Sequence, residues 1–171
     1  MADPARDTGP SERPDRRAPR ALDMRAFLPS AIMLLAQKIA AGASAAYRPQ
    51  FGVGLTDWRV IAALGAEPWI SPARIAEVSG LDKAAVSRSL VGLRAAGWVE
   101  NDRAEGRRGG ALALTGAGLA LHDRVAAAAA LRERDLLSGF SASERASFQD
   151  FVRRMSDAAG RLQPDAHLTT D

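Results

Sequence analysis

The sequence predicts a mainly α protein carrying one small β-hairpin, and three observations predict it. Apolar residues recur at helical spacing near both ends of the chain. Two short helices with full start and stop signals follow one another between Ser71 and Gly97. A strand, an Arg- and Gly-rich loop and a second strand come directly after them. With 171 residues the chain is about one domain long, and 47% hydrophobic content is ample for a core.

Residues 1–21 hold Pro4, Pro10, Pro14 and Pro19 among mixed charges and almost no large apolar side chains, so they are expected to form a disordered arm. Its arginines (Arg6, Arg13, Arg16, Arg17, Arg20) are nearly cancelled by Asp3, Asp7, Glu12 and Asp15, which makes it a solvated tail rather than a basic one. From Phe27 to Tyr47 the series Phe27, Leu28, Ala31, Ile32, Leu35, Ile39, Ala43, Ala46 marks a long first helix, with Pro29 tolerated in its first turn. Thr56 is a candidate cap for the second helix, whose buried side would be Trp58, Ile61, Ala62 and Leu64 before Gly65 loosens the chain.

Ser71 caps a third helix with Pro72 at its first position; Ile75, Ala76 and Val78 face inward, and Gly80 supplies the left-handed residue that ends it. Asp82 caps a fourth. At about 100° per residue, Val86, Leu90 and Leu93 share one buried face. Ala84, Ser87, Arg88 and Val91 then point away from the core, flanked by Lys83. A face of this kind suits a helix lying in a DNA major groove. Arg88 can fork onto guanine O6 and N7, Ser87 can bond a base edge or phosphate, and Ala84 can touch a thymine methyl. By itself it is also an ordinary solvated helix face.

The hairpin decides between these readings. Trp98, Val99 and Glu100 alternate as a strand, residues 101–110 form the tip, and residues 111–114 return. Arg103, Arg107 and Arg108 sit on that tip beside Gly106, Gly109 and Gly110, where they could enter a narrow minor groove. An isolated Arg and Gly loop is a solvated turn; one short connection after a recognition-like helix, it is the wing of a winged helix-turn-helix.

Thr115 caps a fifth helix reaching about Leu137, and its Ala126–Ala130 run has small side chains that let another helix pack closely. Ser141-Ala142-Ser143-Glu144 reads as a capping box, followed by Phe148, Phe151, Val152, Met155, Ala159 and Leu162 at helical spacing. A ladder this apolar, with an equally apolar first helix, points to packing between subunits and hence a homodimer. A two-fold dimer would set its recognition helices about 34 Å apart, one turn of DNA, and read a palindrome.

Composition limits the alternatives. The formal charge is +3, and only Lys38 and Lys83 among 23 basic residues are lysines. That arginine bias fits phosphate and guanine recognition, and a high-GC genome accounts for it as well. Cysteine is absent, which removes disulfides and thiolate metal sites. The two histidines, His122 and His167, offer no general-base pair or zinc spacing, and no phosphate-binding glycine loop or nucleophile motif occurs, so no enzyme, metal or cofactor is expected. The longest apolar run, Ala31–Ala36, falls short of the roughly 20 residues that span a bilayer, and the N-terminus is unlike a signal peptide; the expectation is a cytoplasmic protein with no membrane partner.

Leu55-Thr56-Asp57-Trp58-Arg59-Val60, the Ile75-Ala76 helix, Leu81-Asp82-Lys83 with Val86-Ser87-Arg88, Leu93 to Gly97, and Leu114-Thr115 with Gly118 together resemble the MarR family of bacterial transcription regulators. The resemblance covers roughly Leu28 to Leu162. It implies a MarR-type domain over 22–162, with dimerisation helices at 22–50 and 115–162, a winged DNA-binding region at 51–114 and a flexible tail at 163–171. It further implies an obligate homodimer with intertwined terminal helices, double-stranded DNA as partner, and repression relieved by a small aromatic or anionic effector.

Lys83, Ala84, Ser87 and Arg88 match the family's base-facing positions. Its usual wing Asp-x-Arg pair, in which the carboxylate braces the minor-groove arginine, lacks a direct counterpart. Either Glu105-Gly106-Arg107 replaces it, or Arg108 is the matching arginine with Gly106 in place of the Asp. Family effector pockets lie between the dimerisation helices and the winged region, which makes Leu28, Tyr47, Phe51 and Trp58 candidate lining residues and Arg25, Arg48 or Arg59 candidate carboxylate partners. The competing function for such a domain is a winged-helix module that binds protein; a basic reading face would serve no purpose there.

Overall fold

The computed structural model describes residues 23, 27–102 and 110–162. The predicted arm, Arg25, the wing tip with Arg103, Arg107 and Arg108, and the tail with His167 lie outside them. In order, the described elements are α1 (Leu28–Phe51), α2 (Leu55–Ala66), α3 (Pro72–Ser79), α4 (Lys83–Ala95), β1 (Val99–Asn101), β2 (Leu112–Leu114), α5 (Gly116–Leu136) and α6 (Ala142–Ala159). The protein is mainly helical, as its periodicity predicts.

The chain divides into two compact units, residues 1–41 and 42–171. In the first, the described part of α1 leaves Leu28, Ile32, Leu35 and Ile39 exposed. One expectation is corrected here: α1 is by length and composition apolar enough to cross a membrane. A run is broken by single polar residues, but an average along 24 helical residues absorbs Gln37 and Lys38. The C-terminal end of α1 is engaged otherwise, since Ala43 and Tyr47 are buried in the core of the second unit.

That core is built around α2, whose Val60, Ile61 and Leu64 are almost wholly enclosed by Ile75 of α3, Val86, Leu90 and Leu93 of α4, Leu112 and Leu114 of β2 and Val125 of α5. Local chemistry sets where each helix begins. Ser71 Oγ accepts from the Arg74 amide at 3.2 Å and Asp82 Oδ1 from the Ala85 amide at 2.7 Å, while Gly80 ends α3 at φ 63°. Thr115 Oγ1 accepts from Gly118 N at 3.0 Å, and Ser141 with Glu144 closes a capping box on α6.

Three expectations differ. Thr56 does not cap α2: the N-cap position is Gly54, whose amide donates to Asp57 Oδ2 at 3.0 Å. Val78 is exposed rather than inward, because α3 ends one residue later and only Ile75 and Ala76 meet the core. Gly65 does not loosen α2, which continues to Ala66; a Cβ there would lie 2.7 Å from the His122 ring.

β1 and β2 pair antiparallel in the register Val99↔Leu114 and Asn101↔Leu112. The other edge of β2 is closed by Ile70, which exchanges backbone bonds with Leu112 at 3.2 and 2.9 Å. This ties the start of the α3–α4 pair to the hairpin, a link that local sequence pattern does not reveal. The α2–α3 corner is held by Arg74, whose Nε and Nη2 grip the Glu67 carboxylate at 2.9 and 2.8 Å. The bonds from Arg74 hold that carboxyl below its ordinary value.

Candidate nucleic-acid interface

α4 turns one face inward and one outward. Val86, Leu90 and Leu93 are buried, and Lys83, Ala84, Ser87, Arg88 and Val91 are all exposed. Ser89 is also buried, at 6% exposure, and its hydroxyl donates to Asp57 Oδ1 at 2.7 Å. Asp57 therefore bridges α4 and the N-terminus of α2, bonding Ser89 with one oxygen and the Gly54 amide with the other. α4 is thereby held at Ser89, the residue next to Arg88. A Ser three residues after the buried Val86 was the one sequence signal for this brace; its Asp partner lies too far along the chain to be paired by pattern.

The hairpin follows α4 through Gly97, at φ 73°, and is anchored by Thr115, whose hydroxyl donates to the Gly97 carbonyl at 2.7 Å while accepting from Gly118. One residue thus ties the chain just after α4 to the return strand and the start of α5. Gly118 sits at this junction, where a Cβ would overlap the Trp98 carbonyl oxygen.

The predicted effector residues separate into groups. Tyr47, Phe51 and Trp58 come together: Tyr47 lies 6.3 Å from Phe51 and 6.5 Å, edge-on, from Trp58. His122, given no role from sequence, joins them with its ring 5.6 Å from Trp58 and its Nδ1 3.0 Å from Asp123 Oδ1. Arg124 completes the group with its guanidinium 5.4 Å from the Phe51 ring centre. Arg59 is directed elsewhere: it donates to the Ser79 carbonyl at the end of α3 and lines a hollow of about 310 Å³ with Trp58, Ala62, Ala66 and Val78. Arg48 lines a different hollow, with Arg88 of the outward face of α4. Leu28 is exposed on the first turn of α1. No group of three His, Asp or Glu side chains is placed to hold a metal ion among the described residues.

Two capped helices across a glycine turn, a basic outward face on the second, and a hairpin tied to its end define a winged helix-turn-helix of the DNA-binding kind. The MarR family model matches residues 51–109. A MarR/EmrR family transcriptional regulator from Acinetobacter sp. ADP1 is 30% identical, with a TM-score of 0.77 over 82% of this chain and 100% of its own. The PcaV transcriptional regulator from Streptomyces coelicolor, solved with its natural ligand, is 27% identical, with a TM-score of 0.68 over 81% and 98%. The fold is shared as well by MepR of S. aureus, solved as a DNA complex, at 15% identity and a TM-score of 0.70 over 81% and 99%. No curated protein matches the sequence. The chain belongs to the MarR family of transcription regulators.

Proposed function

We propose that this regulator is a cytoplasmic, non-enzymatic repressor that reads a palindromic operator as a homodimer and is released by a small aromatic or anionic effector. The observation that carries the reading is the division of α4, with Lys83, Ala84, Ser87 and Arg88 outward and Val86, Ser89, Leu90 and Leu93 inward. The wing arginines Arg103, Arg107 and Arg108 are its second element, contacting the minor groove from a hairpin whose base is fixed by Thr115.

Dimerisation is supported by apolar surface left open at both ends of the chain. α6 has no buried residue, and Phe148 and Phe151 stand 53% and 56% exposed. An effector site is supported by the Tyr47, Phe51 and Trp58 cluster, and by the ligand that PcaV holds. Aromatic acids and their thioesters are the compounds to screen, since binding to the folded state raises the melting temperature by mass action.

The deciding measurement is fluorescence anisotropy on duplex DNA from the promoter beside the regulator's own gene, against a random duplex of equal length. The promoter fragment is expected to bind more tightly. Arg88→Ala should remove about 1–3 kcal/mol from that specific binding while leaving random DNA nearly unaffected. Equal, weak binding of both duplexes at moderate salt would overturn the proposal.

A further inference from the structure

Arg88 shares its hollow of about 290 Å³ with Arg48 from the end of α1, Thr56 and Asp57 from the first turn of α2, and Ala85 and Ser89 of α4. Arg48 reaches it past Gly54: a Cβ at that glycine would stand 2.8 Å from Arg48 Nη2. Arg59 and Arg74 are engaged elsewhere, Arg59 with the Ser79 carbonyl and Arg74 with Glu67 and Glu77. The guanidiniums of Arg48 and Arg88 make no hydrogen bond or ion pair among the described residues. The single carboxylate in the hollow is already occupied, with Asp57 Oδ1 accepting from Ser89 and Oδ2 from Gly54. Thr56, which caps nothing, leaves its exposed hydroxyl at the same place. With Arg88 given to the bases, the free Arg48 guanidinium and the Thr56 hydroxyl, against one engaged carboxylate, make a site for a phosphate oxyanion.

We infer that Arg48 and Thr56 hold a backbone phosphate of the bound DNA, next to the base pairs that Arg88 reads. The assignment rests on the DNA-reading proposal, and it moves Arg48 from the effector site to the nucleic-acid interface. DNA phosphate is the fitting occupant because the hollow opens beside the outward face of α4, where a duplex seated on Arg88 brings its backbone. A guanidinium there forks onto two phosphate oxygens and fixes the register of the reading helix without carrying sequence information itself.

The test is anisotropy across a salt series with Arg48→Ala, Arg48→Gln and Thr56→Val, on the promoter duplex and the random duplex. Arg48→Ala should weaken binding to both duplexes about equally, by roughly tenfold, and reduce the slope of log affinity against log salt by about 1. Arg48→Gln keeps most of the stem and should give the same slope change, which guards against a folding defect in the alanine variant. A duplex series with single phosphates replaced by neutral methylphosphonates should contain one position at which wild type loses affinity and Arg48→Ala does not. Unchanged affinity and salt slope in both Arg48 variants, with Arg88→Ala still weakening the promoter complex, would overturn the phosphate seat and leave the DNA-reading proposal standing. Loss of the Arg88 effect itself would instead remove the proposal on which the seat rests.

Discussion

Gly118 and Gly65 both lie inside helices, yet they answer to different neighbours. A methyl at Gly118 meets the Trp98 carbonyl oxygen and carbon, backbone atoms fixed by the bond from Thr115 N to that same carbonyl. The atoms nearest a methyl at Gly65 are those of the His122 ring, a side chain that can shift. Gly118→Ala should therefore destabilise at or above the roughly 1–3 kcal/mol of an overpacked core. Gly65→Ala should cost less, since relief by a side chain combines with a gain of about 1 kcal/mol in helix propensity. Thermal melts of the two variants check the order, and an equal loss would contradict the backbone argument. Ser89→Ala belongs to the same scale: it strips Asp57 Oδ1 of its donor, for which a loss of about 1–3 kcal/mol is expected on chemical denaturation. The outward positions Lys83, Ala84, Ser87 and Arg88 were legible because helical geometry alone sorts faces. The Asp57 to Ser89 bridge, the Ile70 to Leu112 closure and the place of His122 were not, because each joins segments that come together only when the chain folds.

Helix ends carried most of the legible information at the scale of elements. Ser71, Asp82, Thr115 and Ser141 all cap as their sequence contexts predict, since a cap is decided by a side chain and amides within three residues of it. Thr56 misled although the deciding contact is as local as the others. Asp57 one residue later takes the Gly54 amide and so starts α2 two residues earlier, while its other oxygen binds Ser89 of the neighbouring helix. The capping box on α6 has a pH consequence. Glu144 Oε2 accepts from the Ser141 hydroxyl and from its amide, both at 2.7 Å, and these bonds hold its carboxyl below the ordinary value of 4.5. A depressed folded value means that the stabilisation is complete above the unfolded value and fades as pH falls through the folded one. A carboxyl titration by NMR should place Glu144 below 4.5, and Ser141→Ala should return it toward that value while the first turn of α6 loses amide protection. A Glu144 titration indifferent to Ser141 would remove the box as its cause.

For the whole molecule, the question is what becomes of the apolar surface that the second unit leaves uncovered. α6 presents Phe148, Phe151, Val152 and Met155 at 39–56% exposure and buries nothing of its own, a state in which an 18-residue helix has little tertiary support. The exposed Leu28, Ile32, Leu35 and Ile39 of α1 are in the same position, and helical spacing made both faces legible in the sequence. The membrane-like composition of α1 follows from the same residues: a helix built to meet another helix along most of its length needs the same apolar side chains as one built to meet lipid. The proposed dimer gives both helices a partner and makes their stability depend on association. Phe148→Asp combined with Phe151→Asp should therefore convert a dimer to a monomer in light scattering, with amide protection lost throughout α6 and retained in α2 and α4, whose core is closed within one chain. Promoter affinity should fall much further than random-duplex affinity, because only paired recognition helices gain from a palindrome. A double variant that remained dimeric would move the subunit contact off α6, and a wild-type protein monomeric at micromolar concentration would remove the dimer altogether.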